Sequence, residues 1–490
     1  MGNEVVSDRP PTEQGAAAQM HPLIIQGGMG VGVSGWQLAG AVGRTGGLGV
    51  VSGVALDVLV ARRLQDGDHD GQLREAISRF PVPEIAARVL SRYFRHGGRA
   101  RGEPYRPVPR LSLRPSVERQ HLAVVAAFAE VHLAKRAAAG GRIGINLLEK
   151  VQLATPAAAY GAMLAGVDAV LVGAGIPARL PALLNALSRQ QPAALPIDVA
   201  GAGGTRHALV LDPVKLLGRR LPALSRPRFV AIVSSTALAS FLARDDTTRP
   251  DGFVIEGPIA GGHNAPPRGR LQLDERGEPV YGPRDIADPG EIAALGLPYW
   301  FAGGYSRPER VEAARMAGAK GVQVGTVFAL ARESGLSAPL RQRLLESLDG
   351  PQIVVRTDVH ASPTGFPFKV AQLDGTLSDP EVYAQRRRVC DLGMLRVPYL
   401  RSDGTVGYRC PAEPADLHVR KGGNRAETLE RVCLCNALVS SAGLAQRCHD
   451  GTLEPPIVTL GADLDGAREL RRRHPRGWGA ADVIAYLTGS

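Results

Sequence analysis

The chain has 490 residues, of which 44% are hydrophobic and 21% are charged, a balance typical of a globular protein with a large core. Its formal net charge is +11, but only 5% of its residues are aromatic, so the basic excess lacks the interleaved rings that stack on bases. We therefore expect no nucleic-acid partner. Since no continuous apolar run is long enough to span a bilayer, we also expect no membrane span.

The first residues and the cysteine content predict where the protein resides. Residues 1–8 contain no apolar signal core, and five cysteines in the whole chain do not suggest a disulfide framework. A cytoplasmic protein is the expectation. Residues 1–20 are polar and rich in small residues, which predicts a loose tail. No motif fixes the oligomeric state, so a homo-oligomer stays open.

Short apolar runs alternate with helical stretches from Pro22 onward. Eight of these runs are predicted as strands, at residues 23–26, 48–52, 142–148, 169–173, 229–234, 252–256, 297–302 and 321–324. Continuous apolar strands separated by helices are typical of a parallel sheet that is buried on both faces. Eight such units favour an α/β fold of the (β/α)8 TIM-barrel type over an open doubly wound sheet.

The predicted barrel occupies residues 21–375 and carries two additions. Residues 54–140 are predicted as a mostly helical insertion, and residues 197–200 and 207–211 as a short extra strand pair. Beyond about residue 375 the alternation of strand and helix stops. Residues 376–490 are predicted as an appended helical cap that contains cysteines and packs on the barrel.

A histidine stands where the sixth predicted strand ends. The apolar run 252–255 leads into Glu256 and then through Gly261 and Gly262 to His263. Small residues let the main chain approach a ligand closely, and an imidazole beside that ligand can exchange protons with it. His263 is the candidate catalytic residue, and a structural loop histidine is the alternative.

Glycine turns follow three other strands. After the first strand, residues 27–32 contain four glycines, which a tight βα turn alone would also explain. Gly303 and Gly304 follow the seventh strand, and Gly325 and Thr326 follow the eighth. Successive late-strand turns at a barrel mouth favour a phosphate site built from backbone N–H groups, and Thr326 is predicted to cap a last helix over residues 327–332.

Five motifs resemble the nitronate monooxygenase (2-nitropropane dioxygenase-like) family of FMN-dependent barrels, and the chain is longer than the smaller members. They are residues 26–29, 144–146, 260–263, 302–304 and 321–326. The resemblance implies FMN across the barrel mouth, with the phosphate at Gly303, Gly304, Gly325 and Thr326. Gly27, Gly28 and Met29 would lie against the flavin ring, Asn146 would bond its polar edge, and Gly262 and Gln323 would lie near it. His263 matches the family's active-site histidine.

The implied activity is oxidation of alkyl nitronates or nitroalkanes by O2, on a small anionic or nitro-containing substrate. His263 would remove the α-proton of a neutral nitroalkane or, when protonated, hold a nitronate anion. Lys369, in an aromatic and proline-rich segment at residues 362–369, is a candidate substrate contact. Two alternatives stay open: an FMN- and NAD(P)H-dependent enoyl reductase acting on acyl thioesters, either free or in trans with a fatty-acid or polyketide synthase, and a non-catalytic flavin- or metal-binding scaffold.

Four cysteines of the C-terminal region raise the question of a metal. Cys390, Cys410, Cys433 and Cys435 would suffice for zinc or an iron–sulfur cluster. Their spacing includes one C-x-C and no C-x-x-C pair, which is not a zinc-ribbon pattern. Buried, reduced cysteines in a helical cap are the alternative.

Overall fold

A computed structural model describes residues 21–350, 353–448 and 450–489, and the tail predicted for residues 1–20 lies outside them. The strands of the described chain are, in order, β1 (Ile24–Gln26), β2 (Leu48–Ser52), β3 (Arg142–Leu148), β4 (Ala169–Gly173), β5 (Ala193–Ile197), β6 (His207–Leu211), β7 (Arg228–Val233), β8 (Gly252–Glu256), β9 (Tyr299–Ala302), β10 (Gly321–Val324), β11 (Val355–Asp358), β12 (Phe368–Ala371), β13 (Val397–Leu400) and β14 (Val406–Arg409).

The α-helices are α1 (Trp36–Arg44), α2 (Leu56–Gln65), α3 (Gln72–Ser78), α4 (Pro83–Tyr93), α5 (Val117–Ala138), α6 (Thr155–Leu164), α7 (Leu180–Ser188), α8 (Pro213–Leu217), α9 (Thr236–Ala243), α10 (Pro289–Ala294), α11 (Pro308–Met316), α12 (Thr326–Ala329), α13 (Ala338–Ser347), α14 (Pro380–Gln385), α15 (Ala415–Arg420), α16 (Leu434–Ser441), α17 (Asp465–Arg473) and α18 (Ala480–Thr488). Short 3-10 helices lie at Glu149–Ala154, Pro283–Asp285 and Arg425–Thr428.

Strands β1–β4 and β7–β10 close into a parallel barrel, which confirms the predicted (β/α)8 fold. The barrel closes between β1 and β10, where Ile24 pairs with Val322 and Gln26 with Val324. The inside is filled by one apolar cluster, formed by Ile25, Leu48, Val50, Ala169, Leu171, Val230, Val254, Trp300 and Ala302. Because this interior is packed, a ligand can bind only at an end of the barrel.

The helical segment between β2 and β3 also builds the outer ring of the barrel. Its last helix, α5, is capped by Ser116, whose hydroxyl accepts a hydrogen bond from the Arg119 N–H at 3.2 Å. This helix packs against both α1 and α6. The predicted insertion is therefore helical, and its last helix occupies the place of a barrel helix.

The extra antiparallel pair is present, but its first strand lies earlier than predicted. β6 has the predicted bounds, whereas β5 spans Ala193–Ile197 instead of residues 197–200. Ala193, Leu195 and Ile197 are buried while the residues between them are exposed, so a period of two sets the strand here.

Residues after 375 pack on the flank of the barrel. Helix α18 contacts α1 and α11, and α17 contacts α12. Trp478, which precedes α18, is fully buried, and its Nε1 donates a hydrogen bond to the Val327 carbonyl at 2.7 Å. The domain boundary near residue 375 stays a prediction, and contacts across it are extensive.

A hairpin of β11 and β12 joins the loop that follows β8. The Lys369 N–H donates to the Gly262 carbonyl at 2.9 Å, and the Asn264 N–H donates to the Pro367 carbonyl at 2.9 Å. His263 and Phe368 form a β-bridge between these two bonds. The histidine loop is thereby held as a short extra strand against the hairpin. None of the described helices is long and apolar enough to cross a membrane.

Candidate active site

A cavity opens at the carboxyl end of the barrel strands, where the βα loops converge. All of the catalytic and cofactor-binding residues predicted from the motifs line it: Gly27, Gly28, Met29, Asn146, Gly262, His263, Gly303, Gly304, Gln323, Gly325 and Thr326. Loops from opposite sides of the barrel are thus brought to one site. The carboxyl end is where TIM barrels place their active sites.

The turn after β1 needs glycine because it lies against β3. A Cβ atom on Gly28 would lie 2.3 Å from the Cβ of Asn146, a distance that no other residue tolerates. Ser34 fixes this turn, since its hydroxyl donates to the Gly27 carbonyl and accepts from the Met29 N–H, both at 2.9 Å. The Asn146 Oδ1 atom is buried and has no hydrogen-bond partner among the described residues.

The turns after β9 and β10 form the opposite side of the cavity. Gly303 and Gly304 have φ angles of 87° and 81°, in the left-handed region that favours glycine. Thr326 is the first residue of α12 and Gly325 is its N-cap, so the predicted capping by Thr326 is wrong. The Thr326 Oγ1 instead accepts a hydrogen bond from the Gly461 N–H at 2.9 Å, which leaves its proton free to donate to a ligand.

Sequence reasoning missed the contribution of the C-terminal region to this cavity. The Gly262 N–H donates to the Thr459 Oγ1 at 2.8 Å, so the histidine turn is tied to that region. An apolar wall is formed by Met394, Leu395, Leu434, Cys435, Leu438 and Leu460. No local pattern in residues 394–461 marks them as site residues, because the fold alone brings them to the barrel mouth.

His263 is held in place by the β11–β12 hairpin. Its Nε2 lies 2.7 Å from the Oγ of Ser362, and its ring meets the Phe368 ring edge-on with centroids 4.8 Å apart. Burial, together with the positive charge of Lys150, lowers the pKa of His263 to about 3. The imidazole is therefore neutral at physiological pH, with Nδ1 as the nitrogen left for a ligand.

Two further charged residues, Glu256 and Lys150, lie near the histidine turn, and no sequence motif predicted a role for either. Glu256, at the end of β8, lines the cavity. Burial raises its pKa to about 7, against the opposing effect of Lys150. Burial lowers the pKa of Lys150 to about 8, against the attraction of Glu256. Lys150 follows β3 within a 3-10 turn, where the sequence offered no motif.

Lys369 does not reach the cavity. Its side chain is buried in the hairpin, and its ammonium group donates to the hydroxyl of Thr357. Alternation along β12 explains this orientation, since Phe368 lines the cavity and its neighbour points to the other face. We therefore assign no substrate contact to Lys369.

The structure gives no support to the metal considered for the cysteines. Among the described residues, no three histidine, cysteine or acidic side chains are placed to hold a metal ion. Burial raises the pKa of Cys390 to about 11 and also raises the pKa of Cys410. A hydrogen bond with Cys435, together with burial, raises the pKa of Cys433. These thiols are therefore protonated at neutral pH and pack as small apolar groups.

Comparison with known proteins shows that part of the chain is similar to one sequence family. Residues 222–363 match the nitronate monooxygenase family. A probable nitronate monooxygenase of Staphylococcus haemolyticus is 34% identical over 110 residues, which are 22% of this chain and 29% of that protein.

A second curated relative has a different substrate in its name. The (3aS,4S,5R,7aS)-5-hydroxy-7a-methyl-1-oxo-octahydro-1H-indene-4-carboxyl-CoA dehydrogenase of Mycobacterium tuberculosis is 25% identical over 184 residues, which are 36% of this chain and 47% of that protein. The chain thus spans less than half the length of these curated relatives. Among solved structures, FabK from Thermotoga maritima aligns with a TM-score of 0.46 and 16% identity, over 97% of this chain and 94% of that one.

The fold and the cavity define a (β/α)8-barrel protein with an enzyme-type site at the carboxyl end of its strands. Within that class, residues 222–363 are similar to nitronate monooxygenases, which confirms the predicted resemblance for the part of the chain that carries the motifs at 260–263, 302–304 and 321–326.

Proposed function

We propose that the protein is an FMN-dependent oxidoreductase that oxidises alkyl nitronates or nitroalkanes with O2. One observation carries this proposal: His263 and the glycine turns from both sides of the barrel line the same cavity. The His263 ring is neutral there and is fixed by Ser362. The family match at residues 222–363 supports the same activity.

The residues present fit FMN. Gly27 and Gly28 line the cavity with backbone that carries no side chain, which leaves room for a flat ring there. The Asn146 Oδ1 and Gln323 Oε1 atoms are buried without partners among the described residues, and both residues line the cavity. Gly303, Gly304 and the Thr326 hydroxyl would hold the phosphate.

Bound FMN would supply the redox chemistry that moves electrons from the substrate to O2. The chain itself positions the substrate and excludes water. The Nδ1–H of His263 would donate a hydrogen bond to an oxygen of the nitro or nitronate group. Ser362 fixes the plane of the ring through Nε2. The apolar wall from the C-terminal region covers the non-polar part of the substrate.

Absorbance spectroscopy and an anaerobic titration test this function. The purified protein is expected to be yellow, or to bind added FMN, and to be reduced by a nitronate but not by NADPH. His263→Asn should retain FMN and lose about 100-fold in kcat/KM, whereas the exposed His360→Asn should behave as wild type. A protein that binds no FMN contradicts the proposal.

One observation favours a second candidate, an FMN- and NAD(P)H-dependent enoyl reductase acting on acyl thioesters. The wall that includes Leu395, Leu434 and Leu438 offers more apolar surface than a small nitroalkane covers. A relative whose name includes a carboxyl-CoA substrate agrees with such a pocket. Rapid flavin reduction by NADPH, followed by oxidation by an enoyl thioester and not by a nitronate, would select this activity.

A further inference from the structure

Most of the basic charge of the chain lies in one segment of the helical insertion. Residues 88–114 contain eight arginines, no lysine and one acidic residue, so they carry +7 of the formal net charge of +11. Two of these arginines are paired, Arg95 with Glu103 and Arg99 with Asp66. The other six are exposed, and none lies within ion-pair distance of a carboxylate in the described chain: Arg88, Arg92, Arg101, Arg106, Arg110 and Arg114.

Five of the unpaired arginines form a strip, which we call the arginine strip: Arg88, Arg92, Arg106, Arg110 and Arg114. Arg88 and Arg92 are one turn apart on α4, and the Arg106 guanidinium donates to the Arg92 carbonyl at 2.9 Å. The last two arginines follow in the segment that leads to α5. Glu118, in the first turn of α5, interacts electrostatically with Arg92 but lies beyond ion-pair distance of it. The strip is therefore a positive surface that the described chain leaves without a carboxylate partner.

The backbone that carries the strip is fixed to the rest of the protein. The Arg106 N–H donates to the Gln65 Oε1 at 2.6 Å, and the Leu113 N–H donates to the Tyr408 hydroxyl at 2.7 Å. The larger apolar side chains between the last arginines are buried: Tyr105, Val108 and Leu111. Since these side chains point inward and the arginines point to solvent, a partner would order only the arginine side chains on binding, not the backbone.

One end of the strip borders the wall of the active-site cavity. The Arg110 Nε donates to the Asp391 carbonyl at 3.1 Å, and the Arg396 Nη2 donates to the Leu111 carbonyl at 2.7 Å. Residues 394–395, which line the cavity, lie between these two contacts in the chain. Burial, and to a smaller extent the charge of Arg110, lowers the pKa of Arg396, so two like charges lie close together here. A partner bound to the strip is thus next to the cavity wall.

We propose that the arginine strip is a docking surface for an acidic protein, whose carboxylates pair with the free guanidinium groups. A guanidinium group presents a rigid fork of N–H donors that matches a carboxylate, whereas a lysine presents only a point charge. Residues 88–114 contain arginine and no lysine, which agrees with such pairing. Because the strip borders residues 394–395, the partner docks beside the cavity, whichever redox reaction the protein performs.

The surroundings of the strip favour a protein over other polyanions. Nucleic-acid bases stack on exposed aromatic rings, but the tyrosines of residues 88–114 are buried, and the Arg74 guanidinium covers the Phe94 ring at 4.5 Å from its centroid. A basic surface that binds membranes carries large apolar side chains beside its charges. Within residues 88–120, Val117 is the one large apolar side chain that is exposed. Carboxylates on a folded protein require neither feature.

Binding of the purified protein to fluorescent poly-L-glutamate at physiological salt tests the docking surface. The strip variant combines four substitutions of exposed side chains: Arg88→Gln, Arg92→Gln, Arg106→Gln and Arg114→Gln. It should melt as wild type does, and its Kd should rise about tenfold or more. The matched control removes the same charge from exposed arginines that already have carboxylate partners: Arg315→Gln, Arg425→Gln, Arg472→Gln and Arg473→Gln. Its Kd should rise less than about threefold.

Three results would overturn the docking surface. They are no binding by wild type, equal weakening in both variants, and strip-dependent binding that is tighter to a DNA duplex or to phosphatidylglycerol vesicles than to poly-L-glutamate. Hydrogen exchange locates the contact: poly-L-glutamate should protect residues 104–114 and 391–396 in wild type but not in the strip variant. Protection only elsewhere, or none, contradicts the proposal. Neither measurement uses turnover, so a failure of the proposed redox activity would leave both results unchanged.

Discussion

The Nε2 atom of His263 lies 2.7 Å from the Oγ of Ser362, although the two residues are 99 positions apart in the chain. Ser362 is fully buried, and its hydroxyl also lies 2.8 Å from the Oγ1 of Thr364. A hydroxyl that bonds the histidine on one side and a threonine on the other fixes both its own rotamer and the plane of the ring. The β11–β12 hairpin thus takes part in the site through hydrogen bonding rather than through a charge.

Ser362→Ala should weaken catalysis without weakening FMN binding. The substitution removes the partner of Nε2 and lets the ring rotate, which we expect to lower kcat/KM about tenfold, the effect of losing one positioning hydrogen bond. Steady-state kinetics and an FMN titration measure the two quantities. Ser347→Ala is the control, since that hydroxyl is exposed and bonds only within α13. A parallel loss of FMN affinity would show that Ser362 mainly supports the fold.

The buried imidazole should also make the protein less stable in acid. The pKa of His263 falls from 6.5 to about 3, so the unfolded chain binds a proton between these values that the folded chain does not. Stability from this group is present above pH 6.5 and is lost as the pH falls toward 3. The melting temperature of wild type should therefore fall more steeply than that of His263→Asn between pH 6.5 and 4.

The contribution of Glu256 to stability changes with pH in the direction opposite to that of His263. Its pKa is raised from 4.5 to about 7, so its stabilising contribution is present below pH 4.5 and is lost as the pH rises through about 7. Both proteins in the comparison keep Glu256, so the difference between their melting curves reports His263. Parallel curves over the acid range would show that the imidazole titrates normally.

Gly303 offers a test of the phosphate turn with a close internal control. Gly303 and Gly46 both have a φ of 87°, so alanine at either position should cost about 1 kcal/mol of unfolding free energy. A Cβ on Gly46 would meet nothing within 4 Å, whereas one on Gly303 would lie 3.2 Å from the backbone nitrogen of Ala260 in the cavity wall. Only Gly303→Ala should also weaken FMN binding, as flavin titration would show. Equal affinities in the two variants would remove the phosphate role from this turn.

Local patterns were sufficient for the barrel but not for all of its site. The strands were predictable because each is a short continuous apolar run, and the glycine turns were predictable because they follow those runs directly. Lys150 was missed because it lies in an irregular 3-10 turn, where its chemistry depends on the distant Phe366 and Glu256. Lys369 was predicted to contact the substrate, but side chains alternate between the two faces of β12. Phe368 therefore faces the cavity and Lys369 does not.

Trp478 provides the most direct test of how the C-terminal region supports the site. It is fully buried behind α12, the helix that begins at Thr326, and its Nε1 donates to the Val327 carbonyl. Its own carbonyl accepts from the Arg332 N–H at 2.9 Å, so the tryptophan holds this segment at two points. Because α12 has only four residues, it depends on such outside contacts.

Trp478→Ala should lower the free energy of unfolding by about 3–5 kcal/mol through the cavity it leaves. It should also weaken FMN binding, because Thr326 and the turn before it lose their support. Trp36→Ala is the matched control: Trp36 is half-buried at the start of α1 and does not line the cavity, so a smaller loss of stability and unchanged FMN affinity are expected. Urea unfolding and flavin titration measure both effects. If Trp478→Ala unfolds easily yet binds FMN as wild type does, the C-terminal region supports the barrel without shaping its site.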